Sequence, residues 1–107
     1  MGRYRLMVFT NPVEGREDEF NSWYTDQHLA DLLKVPGVVS AERWSMKSGA
    51  LQWRYVAIYE LETDDPEGVV ADLRSRTASG EIFMSPALAP GLTSGIFAPM
   101  APPNKDG

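Results

Sequence analysis

Residues 14–37 constrain the fold most, because they combine a helix with an immediate return to a strand. Glu17, Asp18 and Glu19 lie where acidic side chains complement the positive end of a helix, and we interpret them as helix-start residues in preference to metal ligands. The turn Val35-Pro36-Gly37 ends the helical pattern just before a β-rich run. A helix that is joined to a strand by so short a turn is expected to pack on the sheet that contains the strand.

The helix carries aromatic residues and the only histidine of the chain. At about 100° per residue, Phe20, Trp23, Tyr24 and His28 share one broad face. The aromatic side chains are expected to bury against the sheet, which leaves His28 at the rim of an apolar contact. We expect the helix to weaken near His28 or Ala30.

The remaining elements follow from local composition and turn signals. Pro66 follows an acidic turn and begins a second helix that runs to Ala78. A loop that contains two prolines is expected to lie over the core, where it could cover a pocket. The predicted strands are residues 4–10, 38–46, 51–61 and 93–98, with a short turn at 47–50, the loop at 81–91 and a tail at 98–107.

This order, β-α-β-β-α-β, predicts an α+β domain of the ferredoxin-like class with a four-stranded antiparallel sheet. A chain of 107 residues with 43% hydrophobic residues fits a single domain, residues 1–107. In the third strand one side carries residues such as Tyr55, Ala57 and Tyr59, whereas the other carries Val56 and Ile58. Apolar character on both sides favours a homodimer in which a second copy covers one face.

Composition excludes several classes of function. A formal charge of −5 argues against binding nucleic acid or an anionic membrane. Without cysteine the chain has no disulfide and no thiolate, and with one histidine it lacks the ligands of a typical zinc site, so we expect no metal and no cofactor. The N-terminal apolar run is too short for a secretory core or a membrane span, and we expect a cytoplasmic protein.

The run Trp23-Tyr24-x-x-x-His28-Leu29, followed by Val35-Pro36-Gly37, resembles the EthD-like branch of the dimeric α+β barrel proteins. The likeness extends from Asn11-Pro12 through Arg43 to residues 55–61 and is weaker after Asp65; Ala30 stands where the family pattern has proline. The resemblance implies a homodimer in which two sheets form a barrel, with a small-molecule cleft between each sheet and its own helices. Relatives in the wider superfamily include polyketide cyclases, muconolactone-type isomerases, cofactor-free quinol monooxygenases and haem-handling enzymes, so the reaction stays open.

His28 and Tyr24 are the candidate catalytic residues. An imidazole titrates near neutrality and suits general acid/base work, and the resemblance puts His28 at the cleft with Tyr24 one turn earlier. The alternative is structural: the imidazole bonds a backbone carbonyl. The candidate substrate-binding residues are Asn11, Trp23, Trp44, Tyr59 and, for a substrate carboxylate, Arg43. The alternative role is turn formation for Asn11, packing for the aromatic residues and an ion pair for Arg43.

The sequence therefore predicts a cofactor-independent enzyme of the isomerase, cyclase, dehydratase or lyase type. Its substrate would be an aromatic, polyketide-like or catabolic intermediate, with His28 moving a proton. Three alternatives stay open: a non-catalytic binding or accessory protein, a cofactor-free monooxygenase, and a haem-handling protein with a single histidine ligand.

Overall fold

The computed structural model describes residues 1–101 and confirms the predicted order of elements. Residues 102–107 of the predicted tail lie outside the described part. The elements are β1 (Gly2–Thr10), α1 (Glu17–Trp23), a π-helical segment (Tyr24–His28), α2 (Leu29–Leu33), β2 (Val38–Ser45), β3 (Tyr55–Thr63), α3 (Pro66–Ala78) and β4 (Thr93–Phe97).

The four strands form one antiparallel sheet in the order β2-β3-β1-β4, which confirms the ferredoxin-like class. In the register of the two central strands, Leu6 lies opposite Tyr59 and Val8 opposite Ala57. Because side chains alternate along a strand, these four point to the same face of the sheet. The helices cover that face, and the core lies between them.

The path from helix to strand depends on Gly37. Its φ is 96°, in the left-handed region that glycine adopts without strain. A Cβ atom at this position would lie 2.7 Å from Cγ2 of Val69 on α3, closer than two carbons can approach. The predicted turn is therefore fixed both by backbone conformation and by the packing of α3.

We expected the helix to weaken near His28 or Ala30; it instead continues to Leu33, with π-helical winding between Tyr24 and His28. π-helical turns are rare and often occur at functional sites. Here the turn brings both Tyr24 and His28 to buried positions. It therefore places these two side chains on the sheet side of one continuous helix.

The third strand is shorter than predicted, since it begins at Tyr55 and not at Leu51. Asn11 is the reason: its Nδ2 donates to the carbonyl oxygen of Gln52 at 2.8 Å, and its Oδ1 accepts from the backbone nitrogen of Arg54 at 2.8 Å. These backbone groups bond a side chain instead of a neighbouring strand. The connection between β2 and β3 is consequently the long loop 46–54 and not a short turn.

The second face of the sheet is apolar at its centre, as the sequence predicted. Met7, Phe9, Val56 and Ile58 are half-buried there, and Phe97 at the edge is 52% exposed. In the part of the chain that the structure describes, the helices pack on the other face, and we call this one the open face. No helix within residues 1–101 combines the length and apolar character required to cross a membrane.

Candidate functional site

A cavity of about 330 Å³ lies between the covered face of the sheet and the helices. Its buried end is formed by Leu6, Tyr24, His28, Leu32 and Tyr59. The rest of the wall is mostly apolar and comes from β1, α3, β4 and the segment before β4. A mostly apolar cavity with a few polar groups at one end is typical of small-molecule sites.

His28 lies at the buried end, with 5% of its surface exposed. The centre of its ring lies 4.5 Å from that of Trp23, with the two planes tilted by 32°, and 4.8 Å from that of Tyr24, which it meets edge-on. Within residues 1–101, Nδ1 is buried and has no hydrogen-bond partner. A buried nitrogen left unpaired costs about 1–3 kcal/mol, and such exceptions in folded proteins call for an explanation.

The environment keeps the His28 imidazole neutral. Burial lowers its pKa to about 4, with a smaller lowering from Arg43, while Asp31 acts in the opposite direction. Desolvation disfavours the charged form of any buried base. At neutral pH the ring is therefore unprotonated and can accept a proton.

Tyr24 and Tyr59 form a hydroxyl pair beside His28. Their oxygen atoms are 3.1 Å apart, and either one can donate. Burial raises the pKa of both phenols, so both stay protonated at neutral pH. Two hydroxyl groups that share one hydrogen bond leave one proton free, and the pair can donate it to an oxygen atom of a ligand.

Arg43 supports the pair from outside the cavity. Its guanidinium carbon lies 4.5 Å from the centre of the Tyr24 ring, and the group donates to Oδ1 of Asn21 at 2.8 Å and to Oγ1 of Thr25 at 2.9 Å. The predicted roles, neutralising a substrate carboxylate or forming an ion pair, differ from this arrangement: no carboxylate pairs with Arg43 within residues 1–101. The group acts on Tyr24 through its ring, as a cation on a π face.

Three of the seven predicted site residues line the cavity: Tyr24, His28 and Tyr59. Trp23 is buried behind His28, where its Nε1 donates to the carbonyl oxygen of Phe83 at 3.2 Å. Asn11 holds the loop before β3.

Trp44 lies on the open face. It pairs with Val56 in the sheet and is 57% exposed, on the side opposite the cavity. Adjacent residues of a strand point to opposite faces, and its neighbour Arg43 is the one that faces the helices. A substrate in the cavity therefore does not reach Trp44.

Sequence reasoning missed the part of the wall contributed by α3. Val70, Leu73, Arg74 and Thr77 line the cavity, and their spacing is the signal that identifies one face of a helix. Met84 comes from the loop expected to cover a pocket, and its position in the wall agrees with that expectation. Within residues 1–101, no three His, Asp or Glu side chains converge on a point that could hold a metal ion.

No family model matches the chain. It is 34% identical over 59 residues to the core atranone cluster (CAC) protein 1 of Stachybotrys chlorohalonatus; the match covers 53% of this chain and 25% of that protein. The matched part is thus about a quarter of the relative's length.

Three solved structures are similar in fold. The heme-degrader MhuD of Mycobacterium tuberculosis, with two hemes in its active site, has a TM-score of 0.64, 14% identity and coverage of 94% of this chain and 99% of that one. A dimeric ferredoxin-like protein of Thermobifida fusca has a TM-score of 0.60, 17% identity and 91% coverage of both chains. An ethyl tert-butyl ether degradation (EthD) family protein of Bacillus halodurans has a TM-score of 0.53, 15% identity and coverage of 94% and 100%. At these identities the likeness establishes the fold alone.

Proposed function

We propose that this chain is a cofactor-independent enzyme that moves a proton within a small, mostly apolar carbonyl compound. The reaction would be an isomerisation, cyclisation, dehydration or lyase step on an aromatic, polyketide-like or catabolic intermediate. The observation that carries the proposal is the buried imidazole of His28 on the wall of a cavity that also contains the Tyr24–Tyr59 pair.

In this proposal His28 is the base and the hydroxyl pair binds the substrate oxygen. The imidazole takes a proton from the carbon next to a carbonyl group, so that a C–H bond breaks and an N–H bond forms. The electron pair moves onto the carbonyl oxygen, and the free proton of the tyrosine pair hydrogen-bonds the developing oxyanion. The imidazolium then returns the proton to another atom of the same substrate, which completes the transfer without a cofactor.

The basicity of His28 restricts the substrate. Efficient proton transfer requires that the pKa values of donor and acceptor be close, and an imidazole whose pKa is about 4 is a weak base. A carbon flanked by two carbonyl groups, or by a carbonyl and an aromatic ring, is more acidic than the carbon of a simple ketone. Polyketide-like and aromatic intermediates contain such carbons.

A homodimer in the cytoplasm is part of the same proposal. Two observations support the dimer: the open face is apolar at its centre in an isolated chain, and a protein of similar fold is described as dimeric. Burying this face against a second copy would remove its apolar side chains from water.

The test is deuterium exchange at the carbons next to the carbonyl group of 2-tetralone, followed by NMR in D₂O. We expect the protein to accelerate the exchange and His28→Gln to lower the acceleration by about 100-fold or more. The control is Lys47→Gln, in the loop before β3, with circular dichroism to verify folding. Unchanged exchange in folded His28→Gln would remove His28 from the mechanism, and tight binding with no exchange would favour the non-catalytic binding protein. Oxygen consumption without an added cofactor would favour a monooxygenase.

Haem handling is a second candidate because His28 is the only imidazole in the chain and it lines the cavity. The fit is poor, since about 330 Å³ is near the lower limit of ligand cavities and suits a molecule of one or two rings better than a four-pyrrole macrocycle. A Soret band that appears on reconstitution with haem and shifts in His28→Ala would favour this candidate.

A further inference from the structure

We propose that Arg74 selects substrates that carry a carboxylate at the end opposite the reacting carbonyl group. The inference rests on the proposed function, because it uses the same cavity and names the class of molecule that fits it: an aromatic or polyketide-like keto acid. Arg74 lies on α3 and is part of the cavity wall.

The cavity has two polar ends that differ in chemistry. The buried end contains His28, Tyr24 and Tyr59, which are neutral groups that suit a carbonyl oxygen. The open end contains Arg74 and Ser94, both exposed. Most of the remaining wall is apolar and includes Leu73 and Met84. A ligand that satisfies both ends therefore has a carbonyl group at one end, an apolar body, and an acidic group at the other.

Among residues 1–101, Arg74 is the only charged residue that lines the cavity, and it differs from every other arginine of the chain. Five of the others form ion pairs with carboxylates, and Arg43 donates to Asn21 and Thr25 while resting on aromatic rings. Within residues 1–101, Arg74 forms neither an ion pair nor a side-chain hydrogen bond.

The sequence of α3 explains this. The neighbours of Arg74 one turn away, at three and four residues in each direction, are Val70, Ala71, Thr77 and Ala78, none of them acidic. By contrast Arg76, two residues later, pairs with Asp72 at 3.0 Å and Glu81 at 2.7 Å. The guanidinium of Arg74 is therefore available for a carboxylate, which it can bind through two parallel N–H groups.

The experiment compares two probes by isothermal titration at low salt: 4-acetylbenzoate, and its methyl ester, which lacks the charge and carries one more methyl group. We expect the wild-type protein to bind the acid about fivefold to tenfold more tightly than the ester. Arg74→Gln should abolish the preference by weakening the binding of the acid, while Arg74→Lys should retain part of it. The control Lys47→Gln makes the same change of net charge away from the cavity and should keep the full preference.

The outcomes separate this inference from the proposed function. Equal binding of acid and ester by the wild-type protein, or a preference that survives Arg74→Gln, overturns the role of Arg74 while the cavity and His28 chemistry stand. Binding of neither probe overturns the role of Arg74 together with the carbonyl site. A preference that depends on Arg74 in a protein that catalyses no proton exchange supports the selectivity and contradicts the catalytic proposal alone.

Discussion

The hydroxyl oxygens of Tyr24 and Tyr59 lie 3.1 Å apart and join the π-helical segment to the centre of the sheet. The two residues are 35 positions apart in sequence, and both side chains are almost fully buried, with 2% and 0% exposed. This hydrogen bond ties the helix that carries His28 to the strand beneath it. Its geometry therefore fixes the buried end of the cavity.

We expect Tyr59→Phe to lower the free energy of unfolding by about 1–3 kcal/mol, because the Tyr24 hydroxyl would stay buried without its partner. The double variant Tyr24→Phe/Tyr59→Phe should cost less than the sum of the single variants, since it leaves no orphaned group. Urea denaturation of the four proteins gives the coupling energy. Additive losses would show that the hydrogen bond contributes no net stability.

The pKa of His28 predicts a loss of stability in acid. Its folded value of about 4 lies below the ordinary 6.5, so the unfolded chain binds more protons between these values and stability falls as pH falls. Well above pH 6.5 the titration of His28 does not reduce stability. Near pH 4 it lowers the free energy of unfolding by about 3 kcal/mol. Urea denaturation of wild type and His28→Phe between pH 7 and 4 measures it. His28→Phe retains the carboxylates of the chain, so the difference between the two proteins reports the titration of His28. An identical pH dependence of stability in wild type and His28→Phe would contradict the shifted pKa of His28.

Arg43 should stabilise the fold through the Tyr24 ring and its two hydrogen bonds. We expect Arg43→Met, which keeps the apolar stem, to lower the free energy of unfolding by about 1–2 kcal/mol. Arg43→Lys keeps the charge but not the planar fork, and should recover part of this loss. Thermal unfolding followed by circular dichroism makes the comparison. Equal stability of Arg43→Met and wild type would mean that only the stem contributes.

Asn11 should be a structural residue and not a substrate ligand. It bonds Gln52 and Arg54 in the loop before β3, so Asn11→Ala should lower the free energy of unfolding by about 1–3 kcal/mol. Binding of methyl 4-acetylbenzoate to the folded variant should be unchanged, since Asn11 does not line the cavity. A variant that is stable but binds the ester weakly would restore the predicted role in binding.

The open face should mediate the proposed dimer. We expect sedimentation velocity to show a dimer for the wild-type protein and a monomer for Ile58→Asp, because a carboxylate at the centre of an apolar interface has no partner. The control Ala71→Asp places the same group on an exposed position of α3. A wild-type monomer, or an intact dimer in Ile58→Asp, would argue against this interface.

The sequence determined the order of the elements and most of their bounds. The turn Val35-Pro36-Gly37 and the acidic start of the second helix are local signals, and the structure bears them out: Gly37 has a positive φ, and Asp65 Oδ1 accepts from the backbone nitrogen of Gly68 at 3.0 Å. Alternation in β3 correctly separated the buried residues, such as Tyr59, from those of the open face. These features depend on neighbours a few residues apart in the chain, which the sequence displays directly.

Only the tertiary structure decided which aromatic residues reach the cavity. In the sequence, Trp23, Trp44 and Tyr59 are all aromatic residues within a predicted helix or strand, and nothing distinguishes them. In the structure Trp23 is buried behind His28, and Trp44 lies on the open face, away from the cavity. The shortened start of β3, the cation over Tyr24 and the isolated Arg74 likewise depend on residues distant in sequence. Such contacts are set by how the helices dock on the sheet, because packing selects one neighbour for each side chain while periodicity fixes only its direction.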